Sequence, residues 1–545
     1  MLSARADRWT LWVVGIAALL ALPILTVFAT ALQPAGPVWR HLVDTVLADY
    51  LANSILLMLG VGIGTLLIGV PTAWLIGVCE FPGRRFFEWA LLLPMAIPAY
   101  IIAYTYTGLL DFAGPLQSAL RETFGWTRHD YAFPEIRSLP GAVVMLTLVL
   151  YPYVYLLARA AFLEQSAAVL EVSRSLGAGP WRRFFNLTLP LARPSLIAGM
   201  SLVQMEALAD YGTVQYFGVS TFTTGIFRVW FGMNDAIAAA QLAALLLLFV
   251  FALLVLEQLS RRQLRFHPTS ARQQRLPRLV LRGRRGGLAT LACAMPLLCG
   301  FVIPASVLAV WAARTMPQML DERFLRLMAN SLLLAMGAAG LILVLALLLG
   351  YGQRLRPRPL VRLAVRGASL GYAVPGAVIA IGVMLPLAAI DRNVDGWARV
   401  GFGVSTGLLL SGTLVALLFA YCARFLPVAL HGVEAGLTRL RPSMDDAART
   451  LGASPRAVLW RVHVPILRGS LLTVLLLVFV DVLKELPATL ILRPFNFNTL
   501  AVRTYELASD ERLADSAGFA LAIVLAGVGP VILLSRAIGR GRLEP

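Results

Sequence analysis

Lysine is nearly missing from this sequence: Lys484 is the only one, although Lys and Arg together number 47 among 545 residues. A phosphate-binding loop of the G-x-x-x-x-G-K-[ST] kind needs a lysine directly after glycine, and Lys484 follows Leu483, so this chain is not expected to hydrolyse nucleotide or to bind any cofactor of its own. Charge of either sign is scarce, at 14% of residues, while 59% are hydrophobic. A mean hydropathy of +0.76 leaves too little polar surface for a soluble globule. The four cysteines, Cys79, Cys293, Cys299 and Cys422, fall in or beside apolar segments without the close pairing of a metal site, and read as packing residues. The five histidines, His41, His129, His267, His431 and His463, are scattered over separate polar segments and pair with no repeated acid or cysteine. A membrane-embedded enzyme would need such groups clustered at one interface. His463 reads as a surface residue, and no metal site is assigned.

What the chain does have is apolar length. Crossing about 30 Å of hydrocarbon takes about 20 helical residues. Runs of that kind recur roughly twelve times, near 11–32, 54–79, 88–110, 141–163, 195–216, 235–258, 288–312, 330–352, 367–390, 404–426, 470–492 and 514–536. An all-α integral membrane protein of about twelve transmembrane helices is expected. The first run follows Arg5 and Arg8 but is longer than the 7 to 15 apolar residues of a signal core, and reads as a retained helix.

The net charge of +18 is explained by where the arginines fall. With the N-terminus inside and the helices alternating, the inside segments carry 31 arginines and the outside loops 13. That is the positive-inside bias, and it places both termini in the cytoplasm. A nucleic-acid partner is excluded, because such a basic surface would need soluble area the chain lacks.

Residues 259–287 form a basic break with nine arginines and no acid, and read as a cytoplasmic linker between halves at 1–258 and 288–545. The halves repeat one another. Asn53-Ser54 and Pro98 match Asn330-Ser331 and Pro375 at an offset of 277; EVSRSLGAGPWRRFFNLTLPLARPSL at 171–196 matches DAARTLGASPRAVLWRVHVPILRGSL at 446–471 at an offset of 275. Farther on, Phe222, Thr224 and Arg228 meet Phe497, Thr499 and Arg503. Six helices per half make this a parallel repeat about an axis along the membrane normal, with a pathway expected between the halves.

After the fourth helix of each half comes an acid (Glu171, Asp446), then a glycine (Gly177, Gly452) and a proline (Pro190, Pro465), within the polar segments 164–194 and 431–469. The spacing predicts one short helix bearing the acid, a tight turn at the glycine, and a second short helix with Pro180 or Pro455 in its first turn. The later proline then opens the next membrane helix. This loop resembles the EAA loop of binding-protein-dependent ABC importer permeases. The second copy keeps Asp446-Ala447-Ala448, whereas the first has Glu171-Val172-Ser173. The resemblance implies a type I importer permease, with Glu171, Gly177, Pro190, Asp446, Gly452 and Pro465 in loops that dock on ATPase subunits. It also implies two ATPase subunits carrying ATP and magnesium, and one periplasmic solute-binding protein.

The fifth helix of each half carries acids inside its apolar run, Glu206 and Asp210 in one and Asp481 and Glu485 in the other. Spacing of four residues puts each pair on one helix face. Each charge costs about 2.5–3.5 kcal/mol at a helix centre, so both pairs are expected to face the bundle interior. Lys484 accompanies the second pair, and a breaker follows each, Gly212 and Pro487. Interrupted helices at matching places in two halves point to a substrate path. The alternative is that the acids only bond neighbouring helices or unwound backbone.

The stretches LADYGTVQYFGVSTFTTGIFRVWFG (208–232), LKELPATLILRPFNFNTLAVRTYE (483–506) and EFPGRRFFEWALLLPMAIPAY (80–100) narrow the resemblance to fused permeases of the ferric-iron import branch. Related branches carry thiamine, phosphonate, polyamine or sulfate. A major-facilitator carrier also has two parallel six-helix halves, but its G-x-x-x-D-[RK]-x-G-[RK]-[RK] loop fails here on spacing at Gly77, Glu80, Gly83, Arg84 and Arg85.

Overall fold

The computed structural model describes residues 8–164, 179–262, 278–438 and 440–540. Seven helices in each half carry the architecture. In the first half they are α1 (Arg8–Ala31), α2 (Leu47–Val78), α3 (Ala99–Leu110), α4 (Leu139–Glu164), α5 (Leu189–Ala209), the short α6 (Gly212–Tyr216) and α7 (Ala236–Arg262). In the second half they are α8 (Arg284–Met319), α9 (Glu322–Leu355), α10 (Gly376–Phe402), α11 (Leu414–Leu437), α12 (Val464–Leu483), the short α13 (Pro487–Leu492) and α14 (Leu513–Arg540).

Among the described residues ten helices are long and apolar enough to cross a membrane. An eleventh span is bent by 90° between Arg84–Ala96 and Ala99–Phe124. Helix α5 falls short of that measure, carrying Arg193, Gln204 and Glu206. Its 21 residues reach about 30 Å at 1.5 Å each.

The repeat in sequence is a repeat in packing. Helix α5 lies against α2, α4 and α7, as α12 lies against α9, α11 and α14. The first helix of each half crosses to the other: α1 packs on α10 and α8 on α3. Helices α7 and α10 touch, as do α14 and α3, so the halves interlock reciprocally. Small residues allow close approach within the bundle. A Cβ at Gly69 would come within 2.8 Å of Val154 and 3.0 Å of the Tyr155 amide nitrogen, so α2 seats directly on the α4 backbone.

The connection after α2 is tied to the end of the linker. Cys79–Glu80 (β1) pairs in parallel with Leu279–Val280 (β2). Buried Arg84 holds Glu80 at 3.2 Å and the Ile76 carbonyl at 3.1 Å, while Arg278 reaches Glu80 at 3.0 Å. Burial opposes ionisation of Glu80, but its bonds and charge interactions with Arg278 and Arg84 prevail and hold its carboxyl below the usual range.

One expected helix shifts. The run at 404–426 begins only at Leu414, and α10 continues to Phe402 through residues expected in an outside loop. The cause is Asp391, 1% exposed, whose carboxylate accepts from the backbone nitrogens of Leu409, Leu410 and Ser411 at 2.7–3.2 Å. Those donors fold 403–413 back as a loop although Val404 and Leu408–Leu410 are apolar.

Candidate functional site

Each membrane acid of the fifth helices comes to one place. A cavity of about 130 Å³ lies between the halves, at the ends of α5 and α12 remote from Pro190 and Pro465. Glu206, Asp210, Gly212, Asp481, Lys484, Glu485 and Pro487 all line it.

The two acids of each pair do different work. Asp210 ends α5, and its carboxylate accepts from the amides of Thr213 at 3.0 Å and Val214 at 3.2 Å and from the Thr213 hydroxyl at 3.1 Å. Glu485 ends α12 in the same way, accepting from the amides of Ala488 and Thr489 at 2.9 Å and from the Thr489 hydroxyl at 2.6 Å. Both therefore satisfy the first backbone donors of α6 and α13, which hydrocarbon would leave unpaired. In both cases the bonded backbone is that of the short helix that follows. Pro487 opens α13 at a position that needs no N–H.

Glu206 and Asp481 are one turn earlier and bond no backbone. Asp481 pairs with Lys484 at 2.9 Å, with side chains 20% and 27% exposed. Glu206 interacts electrostatically with Lys484, Tyr153 and Tyr372, but has no hydrogen bond or ion pair among the described residues. Tyr100 adds a hydroxyl with no partner, in a side chain 5% exposed.

The sequence reading missed Arg424. It reaches Glu485 at 3.0 Å from α11 and lines the cavity. The signal was present, since apart from Arg536 at the very end of the last run Arg159 and Arg424 are the only arginines inside the apolar runs. Gly376 makes room: a Cβ there would sit 1.9 Å from Arg424 Nη1 and 2.7 Å from Glu485 Oε1. The first half has Ala99 and Val149 at the matching positions, and among the described residues Asp210 pairs with no cation. Four carboxylates thus face two cations, Arg424 and Lys484, across the interface.

Gly212 is required by closeness too, because a Cβ would meet Tyr100 Cβ at 2.7 Å and Leu486 at 3.0 Å. Beside it Tyr211 stacks on Phe227 with ring centroids 3.7 Å apart, and its hydroxyl accepts from that of Tyr505 at 3.4 Å. These rings join the halves at the end of the cavity where α5 stops.

At the opposite end of α12, the second elbow has the expected form. Asp446 sits exposed on the short helix Pro442–Thr450, 3.9 Å from Arg449. Gly452 turns the chain at φ +79°, and Ser454 caps the helix that Pro455 opens. Instead of a break before Pro465, a π-helical turn at Leu459–His463 carries this helix straight into α12. The first elbow enters α5 alike, through Pro180–Arg183, a π turn at Phe184–Thr188 and Pro190. Glu171 and Gly177 lie outside the described residues.

His463 corrects the sequence reading. It is fully buried, with Nε2 2.5 Å from Asp445 Oδ1, because the π turn points it into the bundle. Arg354 holds the other Asp445 oxygen at 2.8 Å and the carbonyls of Leu437 and Leu440 at 2.6 and 3.0 Å. Tyr351 donates to the Pro455 carbonyl at 2.9 Å and packs edge-on against His463. The elbow is bolted to α9 and α11 by Asp445, the neighbour of the acid singled out in sequence.

Among the described residues no three His, Cys, Asp or Glu side chains converge on a metal geometry. Known proteins resemble the chain along most of its length. A ferric transport protein of Haemophilus influenzae, "Fe(3+)-transport system permease protein FbpB 2", is 27% identical over 500 residues, 90% of each chain. The same organism's "Putative ferric transport system permease protein FbpB 1" is 23% identical over 484 residues, covering 84% of this chain and 72% of its own. The molybdenum transport system permease protein ModB of Escherichia coli is 31% identical over 171 residues, 31% of this chain and 72% of that one. Residues 46–265 and 342–540 each match the same domain, and with two copies of it the chain belongs to the family of binding-protein-dependent transport system inner membrane components.

Proposed function

We propose that this permease forms the membrane pathway of an ATP-driven importer for ferric iron. The observation that carries the reading is the single cavity into which both halves deliver an acid pair, with carboxylates outnumbering cations four to two. The ferric permeases similar to it over 84–90% of this chain support the cargo. A separate subunit supplies ATP hydrolysis with magnesium, and a solute-binding protein delivers the cargo from outside. The elbows at 164–194 and 431–469 dock two ATPase subunits on the cytoplasmic side, where the arginine distribution also puts both termini. The cavity then lies toward the outer leaflet, with Tyr211 and Tyr505 closing it on that side.

The test is reconstitution of the chain with its ATPase and binding protein in vesicles. ATP-dependent uptake of ferric iron is expected, with two ATPase subunits and one binding protein per permease. Oxyanion uptake in its place would overturn the cargo. That second reading draws on the local likeness to ModB and on Arg424 and Lys484, which would then bind the anion.

A further inference from the structure

We propose that Lys484 is a tethered counter-cation: it holds Asp481 while the cavity is free of cargo, and a hard trivalent metal cation displaces it in transit, taking Asp481 and Glu206 as oxygen ligands. The proposal rests on the cation reading above.

Three features of the cavity converge on it. The first is the choice of side chain. Every other basic residue apart from histidine is arginine. An arginine binds a carboxylate through a rigid planar fork, whereas an ammonium on a four-carbon stem is a compact charge that swings away readily. Arg424 shows the fixed alternative in the same cavity, clamped over Gly376 onto a backbone-bound Glu485. Lys484 instead follows the last residue of α12, beside a carboxylate with no other bond.

The second is the unequal commitment of the acids. Asp210 is spent on a helix start and Glu485 on a helix start and Arg424, while among the described residues Glu206 has no hydrogen-bonded partner and Asp481 has only Lys484. The two uncommitted carboxylates come from opposite halves and line one cavity. The third is Tyr100, 5% exposed, which lines the same cavity and whose buried hydroxyl has no hydrogen-bond partner among the described residues. Oxygen donors of this type suit a hard cation. No three acidic or soft ligands form a ready cage among the described residues, as a transit station requires, since a cation must leave as readily as it enters. The exchange breaks one ammonium–carboxylate contact and forms metal–carboxylate contacts, with no electron transfer.

Because Lys484 is the only lysine, its exposure can be read directly in the wild-type chain. Acetic anhydride labelling of purified full-length protein, read by mass spectrometry on the peptide containing Lys484, should rise several-fold when terbium(III) is added. Terbium luminescence sensitised by the cavity tyrosines gives the complementary measurement. Lys484→Met should tighten terbium binding about tenfold or more, the size one nearby charge gives, Lys484→Arg should not, and adding Glu206→Gln to Lys484→Met should abolish the gain. Labelling indifferent to terbium, or unchanged affinity in a Lys484→Met chain that melts like wild type, overturns the proposal. If ferric uptake holds while these fail, only the counter-cation role falls; if vesicles import an oxyanion, the cation reading falls with it.

Discussion

Arg424 Nη1 and Glu485 Oε1 meet at 3.0 Å within the membrane, and the space between their helices exists because residue 376 has no side chain. Removing one partner of a buried pair typically costs about 3–5 kcal/mol, because the other charge is left uncompensated. Arg424→Leu should therefore lower the melting temperature of the detergent-solubilised chain sharply, and Arg424→Leu with Glu485→Gln should regain much of the loss. Gly376→Ala should behave like a mild form of the single mutant, at about 1–3 kcal/mol for overpacking. A double mutant no better than Arg424→Leu would show that the pair is not what Gly376 accommodates.

The four acids should separate by function under substitution. Asp210→Ala removes a carboxylate that bonds two amides and a hydroxyl, and should cost about 0.5–2 kcal/mol of stability, as loss of a helix cap does. Glu206→Gln touches no bonded group and should leave melting unchanged while cutting ATP-dependent ferric uptake at least several-fold. Uptake by Glu206→Gln at the wild-type rate would remove Glu206 from the pathway.

Much of this could be read in the sequence, and the reasons it could not be read further are physical. The repeat register brought Glu206, Asp210, Asp481 and Glu485 to matching positions, and helical spacing put each pair on one face. Sequence spacing does not say which member of a pair meets the backbone, since that depends on where α5 and α12 break. Arg424 escaped notice because it lies on a different helix from its partner and has Val149 as its repeat mate. His463 was misjudged because a polar loop was taken as wholly solvent-facing, whereas a π turn rotates it inward. Asp391 broke the expected span at 404–426 through backbone bonds that hydropathy cannot register.

The Asp445–His463 contact ties the second elbow to the bundle, and in the proposed docking role that elbow acts as a lever under an ATPase. His463→Ala should leave Asp445 with Arg354 alone and open a cavity, weakening co-purification of the ATPase and the stimulation of ATP hydrolysis by loaded binding protein. Asp446→Ala, at an exposed site 3.9 Å from Arg449, should leave melting unchanged and affect only docking. Full ATPase coupling in His463→Ala would show that this buried contact does not hold the elbow.

Tyr211 and Tyr505 meet across the halves beside the cavity, and in the proposed pathway they close it on the side of the membrane where α5 ends. Their link is a long hydroxyl contact of 3.4 Å backed by the 3.7 Å stack of Tyr211 on Phe227, so most of the barrier is aromatic surface rather than hydrogen bonding. Tyr211→Phe should thus keep the seal, losing only the hydroxyl contact. Tyr211→Ala removes the stacked ring and, with Gly212 wedged between Tyr100 and Leu486, no neighbouring backbone is free to fill the gap. Vesicles holding Tyr211→Ala without ATP should pass small cations that the wild type and Tyr211→Phe retain. A tight seal in Tyr211→Ala would place the barrier elsewhere, at Leu486 or below the acids.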